Sequence, residues 1–320
     1  MRLTRNDKGP LIAFMAPALI MMLLFFVIPV VYVVVVSFFK WNGITDPEFR
    51  GIRNFALLFK DKAFLRSVLN NVIWALVAGF IQVPIAMVMA IILSRKPKGW
   101  KFFRTVYFLP QVISGIALAM LWRAIYNANT GLLNGLLTLF GRGDLARDWL
   151  GTIETAFPAV LIYWVFYIGY YMVIMMADIT TIDESYYEAA TIDGATEFQQ
   201  AIHITIPLIR KTSLATCVTL ASVMGLRQFE QVYMLTNGQP ANTTSTIVLY
   251  MYKKLQEPNY GMASASAAIL IIVGIIFIVS LRLLFNGKQE TRQVKKRKGG
   301  MKRTRIKFMQ SSPERNSCSR

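Results

Sequence analysis

An all-α, polytopic membrane protein with about six transmembrane helices is the fold class this sequence predicts, on three observations. Of its 320 residues, 55% are hydrophobic and 16% charged, and the mean hydropathy is +0.45; a soluble domain of this size carries more charge. Apolar stretches recur at 11–38, 68–93, 105–126, 156–177, 213–235 and 263–285. Each is about 20 residues or longer, and about 20 helical residues cross a hydrocarbon core of about 30 Å. Between the fourth and fifth stretches lies a mostly polar, acidic segment, residues 178–211.

Residues 1–10 are basic, and the apolar run behind them is longer than a signal-peptide core, so it reads as an uncleaved anchor. Pro29 and Pro84 fall inside the first two stretches, where neighbouring helices can satisfy the carbonyls a proline frees. The third stretch is the most interrupted, by Pro110, Ser114, Gly115 and Arg123. The organisation expected is a short N-terminus (1–10), a membrane domain (11–285) with the loop 178–211 inside it, and a basic tail (286–320).

Lys and Arg set the orientation. With the N-terminus inside, 23 of the 35 basic residues lie on the cytoplasmic side and 10 outside, and Arg123 and Arg227 sit within spans. Both termini are therefore expected in the cytoplasm, and so is the loop 178–211. That loop holds six acids and only Arg210 and Lys211 as bases, a composition explained by whatever binds it, since acids contribute little to orientation. The net charge of +18 is concentrated in the tail, where residues 286–320 carry twelve bases and two acids. Without interleaved aromatics this is no nucleic-acid site; beside a last span it reads as an anchor for anionic lipid.

The loop has its own local logic. Ser185 stands three residues before Glu188, which predicts a capping box and a helix start. Ala189 and Ala190 favour helix and leave a low surface that another protein can approach. Gly194 can take positive φ and turn the chain. A second helix, 196–204, is predicted to stop before Pro207. Two short helices joined at a glycine form a rigid knob, fit to transmit a push; on spacing alone a solvated amphipathic loop is the plainer alternative.

Several chemistries have no residues to carry them. Cys217 and Cys318 cannot plausibly meet, His203 is the single histidine without a neighbouring cysteine, and no GxxxxGK[ST] occurs. No disulfide framework, metal site or cofactor is expected, and ATP cannot be hydrolysed here by the P-loop route. Nor is there a nucleophile–base pair. The energy source is expected to be a separate chain or an ion gradient.

Polar groups inside spans are expensive and mark candidate pathways. Arg227, Glu230 and Gln231 fall at helical spacing on one face of the fifth stretch. With Phe229 and Tyr233 they offer donors, acceptors and flat rings, the mixture that sugars need. The plainer reading is an Arg–Glu pair that holds helices together. Trp122, Arg123 and Tyr126 form a weaker candidate, in which Arg123 snorkels to the interface.

Residues 188–207, EAATIDGATEFQQAIHITIP, space Glu-Ala-Ala, three residues, Gly194, nine residues, Ile204, one residue and Ile206-Pro207. This resembles the EAA signature of permease subunits of bacterial binding-protein-dependent ABC importers, with Ile206 where Leu is usual. Ala16-Pro17-Ala18, Ser37–Trp41, Phe49–Phe55, Phe103–Pro110, Gly131–Asn134, Leu226–Thr236 and Tyr260–Ala268 are similar to segments of the carbohydrate-uptake branch, the maltose and glycerol-phosphate permeases. Glu230 stands where that branch has Asp, and Asn237–Pro240 replaces its Gly-Gly-Pro. The resemblance implies a type I ABC importer permease fold in the bacterial cytoplasmic membrane. It implies ATPase subunits, a second homologous permease (a heterodimer) and an extracellular sugar-binding protein as partners. It also implies that Glu188, Ala189, Ala190, Asp193, Gly194, Ala195, Ile204 and Pro207 couple to the ATPase. An importer of another solute is the alternative within transport. An ion-coupled carrier fits less well, since neither an inverted repeat nor an intramembrane Asp or His relay is visible.

Overall fold

The computed structural model describes residues 8–286, with side chains from Ala13 to Phe285. The lipid-anchor expectation for the tail, and Cys318, lie outside the described residues. The chain divides into units 1–275 and 276–320; the sites below belong to the first, and the described part of the second is helical.

Among the described residues, five helical runs are long and apolar enough to cross a membrane: Ala13–Val36, Lys62–Ser94, Ile153–Ile179, Glu197–Leu226 and Tyr260–Phe285. We call these spans one, two, four, five and six. The third apolar stretch, labelled span three for order, is two helices, Trp100–Val112 and Gly115–Ile125, bent by 104° at the break between them, the geometry of a broken span or of a re-entrant loop. The break falls at Ile113–Ser114, within the interruption noted in the sequence, where both residues are extended (ψ 140° and 133°). Apart from helices, the described residues hold one antiparallel pair, Phe39–Lys40 with Glu48–Phe49, which the hydropathy pattern did not signal.

Prolines do not end these spans. Pro29, Pro84 and Pro207 are each preceded, two residues upstream of the ring, by the end of a π-helical turn: Leu23–Val27, Ala78–Gln82 and Ala201–Thr205. A proline ring leaves the carbonyl four residues back without a donor and crowds it, and a wider turn re-registers the bonds around that gap. The helix from Glu197 therefore continues through Pro207 to Leu226, and the stop predicted there is corrected. A further π turn, Arg210–Leu214, follows without a proline.

Spans two, four and five supply the core, with 44%, 56% and 33% of their central windows buried, against 6% for span one. Spans two and five meet at small residues: a Cβ on Gly225 would lie 2.8 Å from the Trp74 carbonyl oxygen and 2.9 Å from Ala75 Cα. Trp74 packs edge-on against Trp164, joining span four to the same centre. At one end the crossing is fixed by Asn71, wholly buried, whose Nδ2 donates to the Leu226 carbonyl (2.6 Å) and whose Oδ1 accepts from the Ile247 N–H (2.7 Å). Asn71→Leu strands both backbone groups at about 1–3 kcal/mol each. Thermal unfolding in detergent should then show a much lower midpoint, whereas a pair of no structural weight would leave it unmoved.

Candidate functional site

Two features stand out. The first is a cavity of about 650 Å³ where the interruptions of spans two to five converge. Span two contributes Gln82, at the end of its π turn. Span four is broken at Phe166–Ile168, between helices ending at Val165 and starting at Gly169, and the carbonyls freed there need donors. Gln82 Nε2 donates to the Trp164 (2.9 Å) and Tyr167 (3.1 Å) carbonyls, and Gln111 Nε2 to that of Tyr167 (3.2 Å). The Tyr167 hydroxyl donates to the Pro110 carbonyl, on the span-three side. Gly169 permits this approach, since a Cβ there would lie 2.2 Å from the Tyr107 carbonyl oxygen.

The helix of span five ends at Leu226 and a short one resumes at Glu230. Arg227 and Glu230 are therefore not on one helical face, which corrects the spacing argument. The break brings them together by another route: Arg227, Phe229, Glu230 and Gln231 all line the cavity. They make no ion pair among the described residues; the four that exist lie elsewhere. Gly115, opening the second half of span three, abuts them, for a Cβ there would be 3.1 Å from Glu230 Oε2 and 3.2 Å from Gln231 Nε2. Tyr233 is turned away, stacked on Phe229 (5.5 Å, 19°) and edge-on to Tyr252. Tyr167 and Tyr170 add rings to the wall, beside Trp164. Trp122 and Tyr126 belong to an aromatic cluster with Tyr163 instead, while Arg123 is exposed.

The second feature is the loop 178–211. Its first helix is Ser185–Ile192, its turn is at Gly194 (φ +76°), and its second helix starts at Glu197. The capping box is at Thr196 rather than Ser185: Thr196 Oγ1 accepts from the Gln199 N–H (3.3 Å), and Gln199 Oε1 from the Thr196 N–H (2.7 Å). At the first helix Glu184 holds the N-cap position without a side-chain bond, and the Ser185 N–H is taken by Asp183 Oδ1 (3.0 Å). That amide, together with the Ser185 hydroxyl, holds the Asp183 carboxyl below the usual carboxylate range.

Between the two helices Gln200, buried, donates to Thr191 Oγ1 (3.0 Å), and Tyr187 shares a 2.9 Å bond with Thr205. At the base, Asp178 accepts from the Thr212 hydroxyl and the Ser213 N–H. The knob is thus closed on itself and rooted in spans four and five. Glu188, Ala189, Asp193, Gly194 and Pro207 are exposed on it, and Ala190, Ala195 and Ile204 are half-buried. Ile192 (87%) and Phe198 (74%) stand out into solvent, an apolar tip that the spacing of the motif did not single out.

Gln82, Gln111, Tyr167 and Tyr170 escaped the sequence reading. The two glutamines carried a signal, amides within or beside apolar stretches; the tyrosines looked like ordinary span residues until the break exposed them.

Residues 82–289 match the family described as "Binding-protein-dependent transport system inner membrane component". The probable ABC transporter permease protein YurN of Bacillus subtilis is 35% identical over 285 residues, spanning 87% of this chain and 96% of that protein. The diacetylchitobiose uptake system permease protein NgcF of Streptomyces coelicolor is 31% identical over 311 residues, spanning 91% and 88%. Among solved structures, a chain of a bacterial alginate ABC transporter in complex with an alginate pentasaccharide-bound periplasmic protein aligns with a TM-score of 0.74. It is 24% identical and spans 87% of this chain and 94% of its own, a likeness of fold.

Proposed function

The chain belongs to the family of binding-protein-dependent transport system inner membrane components, and from that membership we propose that it carries a sugar or oligosaccharide across the bacterial cytoplasmic membrane. It is the permease, a transport subunit and not an enzyme; ATP hydrolysis belongs to a separate subunit. The observation that carries the substrate class is the cavity. Amides, a carboxylate and a guanidinium meet flat rings in one space of about 650 Å³, and sugar hydroxyls want the former while their C–H faces want the latter. The diacetylchitobiose permease and the alginate importer, similar to this chain in sequence and in fold, agree with that chemistry.

In the mechanism we infer, the knob sits in an ATPase cleft on the cytoplasmic side, with both termini on that side too. Glu188 supplies charge at the contact, Ile192 and Phe198 the apolar surface, and Gly194 the turn. When ATP draws the ATPase subunits together, the knob is displaced, and the continuous helix Glu197–Leu226 carries the motion to the break at Arg227–Phe229. Because the knob and the cavity wall share one helix, a rigid push at one end changes the other. A second homologous permease completes the pathway as a heterodimer, an extracellular sugar-binding protein delivers the substrate, and the basic tail rests on anionic lipid.

The test is ATP-driven uptake into proteoliposomes by the complex purified through this chain, supplied with its binding protein and a panel of labelled diacetylchitobiose, maltose and alginate oligosaccharide. Transport of any of these carries the proposal; uptake of a non-sugar solute with none of the panel bound overturns it. The double variant Arg227→Ala, Glu230→Ala should lose uptake by about a hundredfold, as expected when two charge-assisted contacts worth ~1.5 kcal/mol each are removed. Unchanged uptake would leave these side chains outside the pathway.

A further inference from the structure

We infer that Arg95 is a positioning residue that locks the angle of the coupling knob against the end of span two. The inference rests on the coupling role proposed above for the loop 178–211. Arg95 is the C-cap residue of span two, 102 positions from Glu197. Its Nη1 lies 2.6 Å from Glu197 Oε2, and its Nη2 donates to the Glu197 backbone carbonyl at 2.9 Å. Among the described residues, no other side chain from outside 178–213 hydrogen-bonds to the loop. The contact therefore differs from the knob's internal ties. Those keep it rigid; this one fixes where it points.

The placement is specific at both ends. Glu197 directly follows the capping residue Thr196 and opens the helix that runs on to the cavity, so a grip on it holds the first turn after the Gly194 bend. Arg95 and Glu197 both line a groove of about 690 Å³, together with Val88 and Ile91 of span two and Phe198, Ala201 and Ile202 of the knob helix. The pair ties the two helices to each other at that groove. A guanidinium suits this task, since its planar fork holds a carboxylate and a carbonyl in one fixed geometry, whereas an ammonium meets them as a point charge with freely rotating donors. The pair is partly solvated, with side chains 30% and 83% exposed. Its weight is therefore that of a latch, small enough to yield when the ATPase moves the knob and large enough to bias its resting angle.

The experiment uses the full complex, with Cys217 and Cys318 replaced by serine and spin labels at Lys98→Cys and Tyr186→Cys, the latter an exposed position with no part in the ATPase contact, to report the distance from the end of span two to the first helix of the knob. Uptake and ATP hydrolysis are measured in the same proteoliposomes with the sugar of the panel that is transported. Arg95→Ala and Glu197→Ala should each broaden the distance distribution and lower uptake per ATP hydrolysed by about threefold, the range of a half-exposed pair. Arg95→Lys should recover part of the loss, and the exchange of Arg95→Glu with Glu197→Arg most of it. A wild-type ratio in both alanine variants, or an exchange that restores nothing, overturns the inference. Should Arg95→Ala fail to assemble, Glu197→Ala, on the exposed side of the pair, decides it. If no ATPase accompanies even the unaltered chain, the coupling role itself has failed. The distance measurement then decides the latch alone: broadening reversed by the exchange supports it, and an unchanged width overturns it.

Discussion

Gly194→Val is expected to lower ATP-driven uptake about tenfold or further while leaving the permease in the membrane with its ATPase still able to hydrolyse ATP. The position has φ +76° and nothing within 4 Å of where a Cβ would stand. Space is therefore no obstacle, and the whole effect is conformational. A β-branched residue in the left-handed region is strained by about 1–2 kcal/mol or more, and the turn escapes that strain by opening. Opening it separates Ser185–Ile192 from the helix at Glu197 and undoes the bond between Gln200 and Thr191. A knob that yields absorbs the push instead of passing it on. Since ~1.4 kcal/mol is a tenfold change in an equilibrium, uptake should fall about tenfold or further. Gly194→Asn is the control: asparagine tolerates positive φ, so most of the uptake should survive. Equal loss in both variants would mean that the site senses bulk rather than backbone.

Gly225→Leu should act at the opposite pole, on stability. Here the Cβ would meet backbone, at 2.8 Å from the Trp74 carbonyl oxygen and 2.9 Å from both N and Cα of Ala75. No side chain can swing aside to admit it, so spans two and five must part along their length. That opens the packing of Trp74 on Trp164 and Phe157 and stretches the Asn71 bonds to Leu226 and Ile247. Overpacking commonly costs about 1–3 kcal/mol, and this site lies above that range because the loss of the polar tie adds to it. Fluorescence-detected size exclusion should show aggregated or absent protein, with Gly225→Ala intermediate. A Gly225→Leu chain as monodisperse and as heat-resistant as the parent would show that the crossing is looser than drawn.

What the sequence disclosed, and what it hid, follows from the range over which each feature is determined. The spans were legible because twenty apolar residues are a local fact, and so was the turn at Gly194, where a single residue type has the needed freedom. The break in span three was half legible: Pro110, Ser114 and Gly115 marked its place, but not the 104° bend. The effect of Pro207 is not legible locally, since it depends on the turn before it. The π turn Ala201–Thr205 absorbs the ring, as equivalent turns do at Pro29 and Pro84. The spacing that points to Ser185 for the capping box is satisfied equally well by Thr196 and Gln199, where the box forms. The cavity was the least legible feature, being made of interruptions in four spans. The shared helical face that singles out Arg227 and Glu230 in the sequence is absent from the fold, where a break brings both to the cavity lining instead; Gln82 and Gln111 acquire meaning only when the carbonyls of Trp164 and Tyr167 are seen to need donors.

An ATPase that grips this permease at the loop 178–211 should come with it through affinity purification of the tagged chain in mild detergent, run beside a variant carrying Glu188→Ala and Gly194→Val together. An ATPase and a second permease should accompany the unaltered chain, and the ATPase should be lost from the variant, whose thermal unfolding stays close to the parent's. A variant that retains the ATPase in full, or a chain that purifies alone and transports under an ion gradient, would contradict this coupling role.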